Sequence, residues 1–470
     1  MTRSMHDWDD ETDLFSHSVI GYAIERLRTP KDKRWGAHPA EELHSAIEHA
    51  ITPNGSGGLE ALRLFRDVLM PACRPMDDPM NLAYVPTSPS IASTMFDLVV
   101  SASSIFGGNW EAGAGAIAAE NQALRWLADL AGFPEGAGGV FVSGGSAANL
   151  SALVTARDVY RERDVYRERE VYRERHGRSG RLTIAATDEV HASVRAAAKV
   201  MDVDVLPVAT DERGRLTAAA LRAALDSDAG KASEVFAVVA TGGTTNAGAI
   251  DELDGIADVC AERGLWMHVD GAYGLAALCS DIARQRFHGI ERADSFGVDP
   301  HKWLFAPYDC AALVYRDPAP AATTHAQHGA YLDAVNRGEW NPSDYAYHLS
   351  RRARGLPLWF GLVTYGTRAY TEAVDKAIKT ARSFADAVDR RPGFTLLLQP
   401  ELSVVLFTAN GWTRDQYLEW SQRRARDGSW LVVPTTWRGE PCLRVCLVHP
   451  HTTAEALVGL LDDLTTCQRP

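Results

Sequence analysis

Four short segments of the chain carry residue types that can do chemistry, and they follow one another in a fixed order. The first, VFVSGGSAANL at 140–150, reads as a strand running through a Gly/Ser loop into a helix. Backbone N–H groups at such a helix start point outward with the helix dipole behind them, which makes a phosphate cradle. A plain glycine turn between strand and helix has the same composition. The second, TDEVHASV at 187–194, places His191 just after the strand-like LTIAA, where it serves either chemistry or structure. The third, LWMHVDGAYG at 265–274, puts Asp270 at the C-terminal end of an apolar strand. Ligands bind at that end of open α/β sheets, and a buried carboxylate there needs a cationic partner. The fourth, DSFGVDPHKWLF at 294–305, holds Lys302 among largely apolar neighbours. Desolvation lowers the pKa of a lysine and leaves a free amine able to attack a carbonyl.

Such groups must be positioned by a rigid scaffold. Between about 80 and 315, short apolar runs alternate with amphipathic stretches. VFAVVAT (235–241) and LWMHVD (265–270) read as buried strands, with the helical DELDGIADVCAERG (251–264) between them. This alternation predicts a parallel sheet covered by helices. Residues 1–75 read as helical, with Leu59, Leu62, Phe65 and Leu69 at helical spacing behind the TPNGSGG break at 52–58. Beyond about 370, helical stretches alternate with LSVVLFTA (402–409) and CLRVCLV (442–448), a smaller α/β unit. The expected organisation is a helical segment at 1–75, a large domain at 76–368 and a small domain at 369–470. A threefold repeat, DVYRER-DVYRER-EVYRER at 158–175, advances about 240° around a helix per copy and forms no apolar face. Its six acids and six arginines cancel, so it reads as a solvated helix with i,i+3 charge pairs, or as a partner-binding rod.

Composition narrows the class. The 470 residues are 46% hydrophobic and 23% charged, with 48 Lys+Arg against 61 Asp+Glu, a net charge of −13. That acidity argues against nucleic-acid binding as the main activity. The opening MTRSMHDWDDETDLF is acidic where a signal peptide is basic and then apolar. No run approaches the roughly 18 apolar residues of a membrane helix. Seven scattered cysteines without a CxxC pair speak against a disulfide framework or zinc site. The expectation is a cytoplasmic enzyme with neither a nucleic-acid nor a membrane partner.

Phosphate loop, histidine, strand-end aspartate and lysine, in that order, resemble the pyridoxal-phosphate enzymes of the aspartate aminotransferase fold. More narrowly, HVDGAYG and DPHKWL resemble the signatures of the group II amino-acid decarboxylases, which include aromatic-L-amino-acid, glutamate and diaminobutyrate decarboxylases. NLAYVPTSPS, GNWEAGAGAIAAEN, TGGTTNAGAID, DCAALV and SRRARGLPLWFGLVTYG are similar to family segments in the same order, and the likeness runs from about 60 to 470. The resemblance implies an α/β fold of PLP fold type I: a large domain with a mostly parallel seven-stranded sheet, a small C-terminal α/β domain and a helical N-terminal segment. The cofactor it implies is pyridoxal 5'-phosphate.

By that resemblance Lys302 holds the cofactor covalently, and Asp270 pairs with the pyridine nitrogen and keeps it protonated. His191 stacks on one ring face and Ala272 packs on the other, with Thr245 near Asp270. The phosphate rests on Gly145, Ser146 and Ala147, with His301 close by. Asp299 stands near the phosphate where relatives often carry asparagine. Tyr331, in the Pro/Ala/Gly/Thr-rich stretch 317–335, matches the tyrosine that protonates the carbanion after CO2 leaves, or else anchors that loop.

Tyr84, Val85, Pro86 and Thr87 match a segment lining the substrate side chain, with Val85 where aromatic-amino-acid decarboxylases tend to carry phenylalanine. Phe106 and Gly108 match a second such segment, Phe106 replacing an aliphatic residue and Gly108 an aromatic one. Arg351, Arg352 and Arg354 are either substrate anchors or ion pairs that fix their own segment. The expected reaction is decarboxylation of an L-amino acid, aromatic or otherwise apolar, to the amine. The family implies a homodimer with active sites shared between subunits. The alternatives are decarboxylation coupled to oxidative deamination, giving an aldehyde, and a non-catalytic scaffold that uses the VYRER repeat as its contact surface.

Overall fold

The computed structural model describes residues 5–29, 32, 34–163, 181–330 and 338–467. Tyr331 and most of the VYRER repeat lie outside the described residues.

Seven strands form the main sheet: β1 (Gly138–Val142), β2 (Leu182–Thr187), β3 (Asp204–Val208), β4 (Glu234–Thr241), β5 (Trp266–Asp270), β6 (Ser295–Val298) and β7 (Ala311–Tyr315). Their spatial order is β1-β7-β6-β5-β4-β2-β3. Strands β2 to β6 run parallel, while β7 is antiparallel to both β6 and β1. Both faces of the sheet are covered, which is why β4 is apolar along nearly its whole length: every residue after Glu234 is buried. One apolar cluster lies on each side. The first holds Phe141, Val238, Met267, Phe296 and Trp303, the second Phe236, Val239, Leu313 and Tyr315.

The second sheet is antiparallel, in the order β10 (Pro434–Trp437), β11 (Glu440–Cys446), β9 (Val404–Ala409), β8 (Phe394–Leu396). Helices Thr367–Arg390 and Ala454–Cys467 cover it through a core that includes Phe384, Phe407, Leu443 and Leu460. The stretch 80–82 clasps this unit by main-chain bonds, Leu82 N–H to Leu431 O and Cys446 N–H to Leu82 O, both 2.9 Å. It then leads directly into the Tyr84–Thr87 segment.

The N-terminal helices Asp10–Arg28, Ala40–Ile47 and Gly58–Leu64 bury no residue in this chain. Among the described residues, no helix is long and apolar enough to cross a membrane. All seven cysteines are free thiols.

Candidate active site

Strand topology gathers the four segments at one rim. His191 follows β2, the TGGTT turn follows β4, Asp270 ends β5, and Asp299–Lys302 follow β6. These are the C-terminal ends of adjacent parallel strands, where the sheet opens a crevice. The Gly/Ser loop joins them from β1, whose following helix Gly145–Arg161 crosses the same rim.

Asp270 is buried, 4% exposed, and accepts hydrogen bonds from Asn149 Nδ2 (2.9 Å) and from the Ala272 N–H (3.2 Å). It forms no ion pair among the described residues, so the chain leaves a desolvated carboxylate whose cationic partner must come from a ligand. His191 caps the helix Ala192–Met201, its Nδ1 accepting from the Ser193 N–H, and its ring stays exposed to the crevice.

The loop of β1 is shaped for close approach. A Cβ on Gly145 would sit 3.0 Å from Ala272 Cβ and 3.2 Å from both carboxylate oxygens of Asp299. Gly144, at the N-cap, offers no side chain to the first-turn N–H groups of the helix. Ser146 is exposed beside them, whereas Ala147 is buried with its N–H bonded to the Gly144 carbonyl at 2.9 Å. A helix of 17 residues presenting such a start suits an anion.

Lys302 corrects one expectation. Its burial does act to lower the amine's pKa, but Asp299 Oδ2 lies 2.9 Å from Nζ and Asp270 adds to the field. The carboxylates prevail, and the ammonium is held above the ordinary lysine range rather than below it. Asp299 also faces His301 Nε2 at 3.7 Å, and its Oδ1 is buried without a hydrogen bond. Burial lowers the His301 pKa, while its Nδ1 lies 2.7 Å from the Cys310 carbonyl oxygen. Tyr308 packs its ring on His301, centroids 4.8 Å apart.

The substrate segments are positioned differently. Tyr84 is 60% exposed at φ +56°, whereas Val85, Pro86 and Thr87 are buried and the Thr87 hydroxyl has no hydrogen-bond partner. Arg444, a buried residue of β11, donates to the carbonyls of Tyr84, Thr245 and Asn246, tying this segment to the TGGTT turn. Thr245 itself is exposed, with no hydrogen bond to Asp270 among the described residues.

Phe106 and Gly108 are fixed by Arg351, whose Nη1 donates to Gly107 O and which forms a fully buried ion pair with Glu120 (2.7 and 2.8 Å). A Cβ on Gly108 would meet the Phe106 ring at 2.6 Å, so the phenylalanine fills the space a larger residue at 108 would take. No hydrogen bond, ion pair or ring contact among the described residues joins Phe106 or Gly108 to Lys302, Asp270 or His191. The three arginines resolve into ion pairs: Arg351 with Glu120, Arg352 with Asp97 and Arg354 with Asp309.

A buried unpaired carboxylate, a lysine, an exposed ring beside them and an uncapped helix start are the donor set that a pyridine ring with an aldehyde and a phosphate requires. Fold and site thus define a pyridoxal-phosphate enzyme. Residues 46–410 match the family model described as the pyridoxal-dependent decarboxylase conserved domain. The chain is 30% identical to the aromatic-L-amino-acid decarboxylase of Bacillus atrophaeus over 432 residues, 89% of this chain and 87% of that protein. It is 27% identical to the L-2,4-diaminobutyrate decarboxylase of Acinetobacter baumannii over 404 residues, 83% of this chain and 79% of that one. The crystal structure of Oryza sativa TDC with PLP and tryptamine shares the fold, with a TM-score of 0.88, 24% identity and 99% of both chains covered. The chain belongs to the pyridoxal-dependent decarboxylase family and is a pyridoxal 5'-phosphate-dependent amino-acid decarboxylase.

Sequence reasoning missed Asn149, Ser193, His268, Glu120 and Arg444. Each acts through a partner far away in the chain, and no local pattern marks it.

Proposed function

We propose that the substrate is an L-amino acid with an aromatic or other apolar side chain, converted to its amine and CO2. The observation that carries this reading is the lining of the two substrate segments. Tyr84–Thr87 and Phe106–Gly108 contain no charged side chain, and the Phe106 ring compensates in volume for glycine at 108. The likeness to the Bacillus atrophaeus enzyme supports the same class.

In this reading Lys302 Nζ holds the cofactor and gives way to the substrate amine. The Gly145 and Ser146 N–H groups, with Ala147 and His301 behind them, hold its phosphate, and Asp299 keeps a proton on Lys302. When bound, pyridoxal phosphate supplies the sink for the electron pair left by departing CO2. Asp270 holds a proton at the ring nitrogen and so keeps that sink effective. His191 and Ala272 sandwich the ring, with Thr245 at its edge. Tyr331 delivers the proton that replaces the carboxylate at the α-carbon, and its presence favours the amine over the aldehyde. The enzyme works as a homodimer with shared sites. Supporting this, Ile91, Leu98, Val99 and Val363 are exposed on two helices joined by the stacked Phe96 and Phe360 rings, 3.8 Å apart. Seven free thiols fit a reducing cytoplasm.

The test is CO2 release from single L-amino acids. Tryptophan, tyrosine or phenylalanine is expected to exceed glutamate and 2,4-diaminobutyrate by at least about 100-fold in kcat/KM, the size of a charged-versus-apolar mismatch. A charged substrate turned over best would overturn the assignment.

A further inference from the structure

A chain of hydrogen bonds runs beneath the crevice, and each proton in it has only one place to go. Asn149 is central and 1% exposed. Its Oδ1 lies 2.9 Å from His268 Nε2, and its Nδ2 lies 2.9 Å from both Asp270 Oδ2 and Ser193 Oγ. His268 Nδ1 lies 2.9 Å from Ser295 Oγ, which also accepts from Trp266 Nε1 at 2.9 Å. At the other end Ser193 Oγ lies 2.8 Å from His191 Nδ1.

The directions follow from donor capacity. Trp266 Nε1 can only donate, so Ser295 spends its own proton on His268 Nδ1. Burial depresses the His268 pKa to about 4, so the ring is neutral and its single N–H is on Nε2, aimed at Asn149 Oδ1. The amide cannot flip, because flipping would set Oδ1 against the Asp270 carboxylate and an N–H against the His268 N–H. Both Asn149 amide protons are then committed, one to Asp270 and one to Ser193. Ser193, having accepted, donates to His191 Nδ1, and a neutral His191 must carry its proton on Nε2. His268 and Ser295 are fully buried, and Ser193 and Asp270 nearly so, so water does not substitute for any link.

We propose that Asn149 is a positioning residue that sets the orientation of Asp270 and the tautomer of His191 together, with His268 as its anchor. Neither Asn149 nor His268 touches the reacting atoms. They act through two residues that do, so the inference rests on the roles given above to Asp270 and His191. One asparagine thereby couples the group beneath the ring nitrogen to the group on the ring face.

The test uses the full-length protein with pyridoxal phosphate as the titrant, and 15N-histidine NMR of the same variants. In the wild type, His191 Nδ1 is expected to resonate as an acceptor nitrogen and Nε2 as a protonated one. Ser193→Ala, a small change that preserves packing, is expected to mix the two His191 tautomers while leaving cofactor affinity within about threefold. Asn149→Ala is expected to mix the tautomers and also weaken pyridoxal-phosphate binding by about 10- to 100-fold, as losing a hydrogen bond to a buried charge does. Asp270→Asn should weaken binding at least as much, and adding Asn149→Ala to it should cost little more. If Asp270→Asn loses affinity while Asn149→Ala and Ser193→Ala leave both affinity and tautomer unchanged, the coupling is wrong and the role of Asp270 stands. If Asp270→Asn keeps full affinity, the role of Asp270 falls and the coupling falls with it.

Discussion

The floor of the crevice and its substrate-facing walls hold their residues by opposite means. On the floor, Asp270, His191, Asn149 and His268 bond side chain to side chain at the ends of buried parallel strands. In the walls, Arg444 and Arg351 reach loops through their main-chain carbonyls, Tyr84, Thr245 and Asn246 in one case and Gly107 in the other. A side chain held by its neighbours cannot change alone, whereas a loop held by its backbone can change its side chains freely. The cofactor chemistry is therefore fixed while the substrate pocket is open to reshaping, as the Phe106–Gly108 exchange shows.

Five substitutions or conditions break or sharpen that contrast. Lys302→Ala, on the floor, should reduce amine formation by about 10³-fold or more, measured by product mass in single-turnover and steady-state assays. Arg351→Ala, behind the wall, should destabilise the fold by about 3–5 kcal/mol in denaturant unfolding, because Glu120 is left charged and buried. The double change Arg351→Met with Glu120→Leu should cost less than the single one. Third, the floor should show an acid weakness. His268 has a folded pKa of about 4, below its ordinary 6.5, so the unfolded chain binds the proton more readily and stability falls as pH drops from 6.5 toward 4. That loss, up to about 3 kcal/mol by linkage, should disappear from the acid limb of the stability curve in His268→Gln. Fourth, Arg444→Met should raise KM about tenfold while lowering kcat less, since it frees the Tyr84 loop rather than the reacting groups. Smallest, Phe106→Leu should shift the kcat/KM ratio between tryptophan and leucine by about three- to tenfold toward the smaller side chain.

Much of the fold was legible because the alternation of apolar runs and amphipathic stretches states a helix-covered parallel sheet. β4, buried along its length, is the clearest case. Sheet direction was less so: nothing in the periodicity of β1 or β7 tells that they run antiparallel to their neighbours. The four chemical segments were legible because each sits on one strand end with its functional residue in a short motif. Their partners were not, since Asn149 meets Asp270 across 121 residues and Arg351 meets Glu120 across 231. The raised Lys302 pKa is a different kind of miss. Asp299 stands three residues before the lysine in the DPHK motif, close enough to form the ion pair that outweighs burial.

The most direct test of the account is a reaction of the purified protein with pyridoxal phosphate and a pool of L-amino acids in air, followed by mass spectrometry. The account predicts loss of an aromatic or other apolar amino acid and the appearance of an amine lighter by one CO2. An aldehyde accompanied by peroxide, or an amine derived from a charged amino acid, would contradict it.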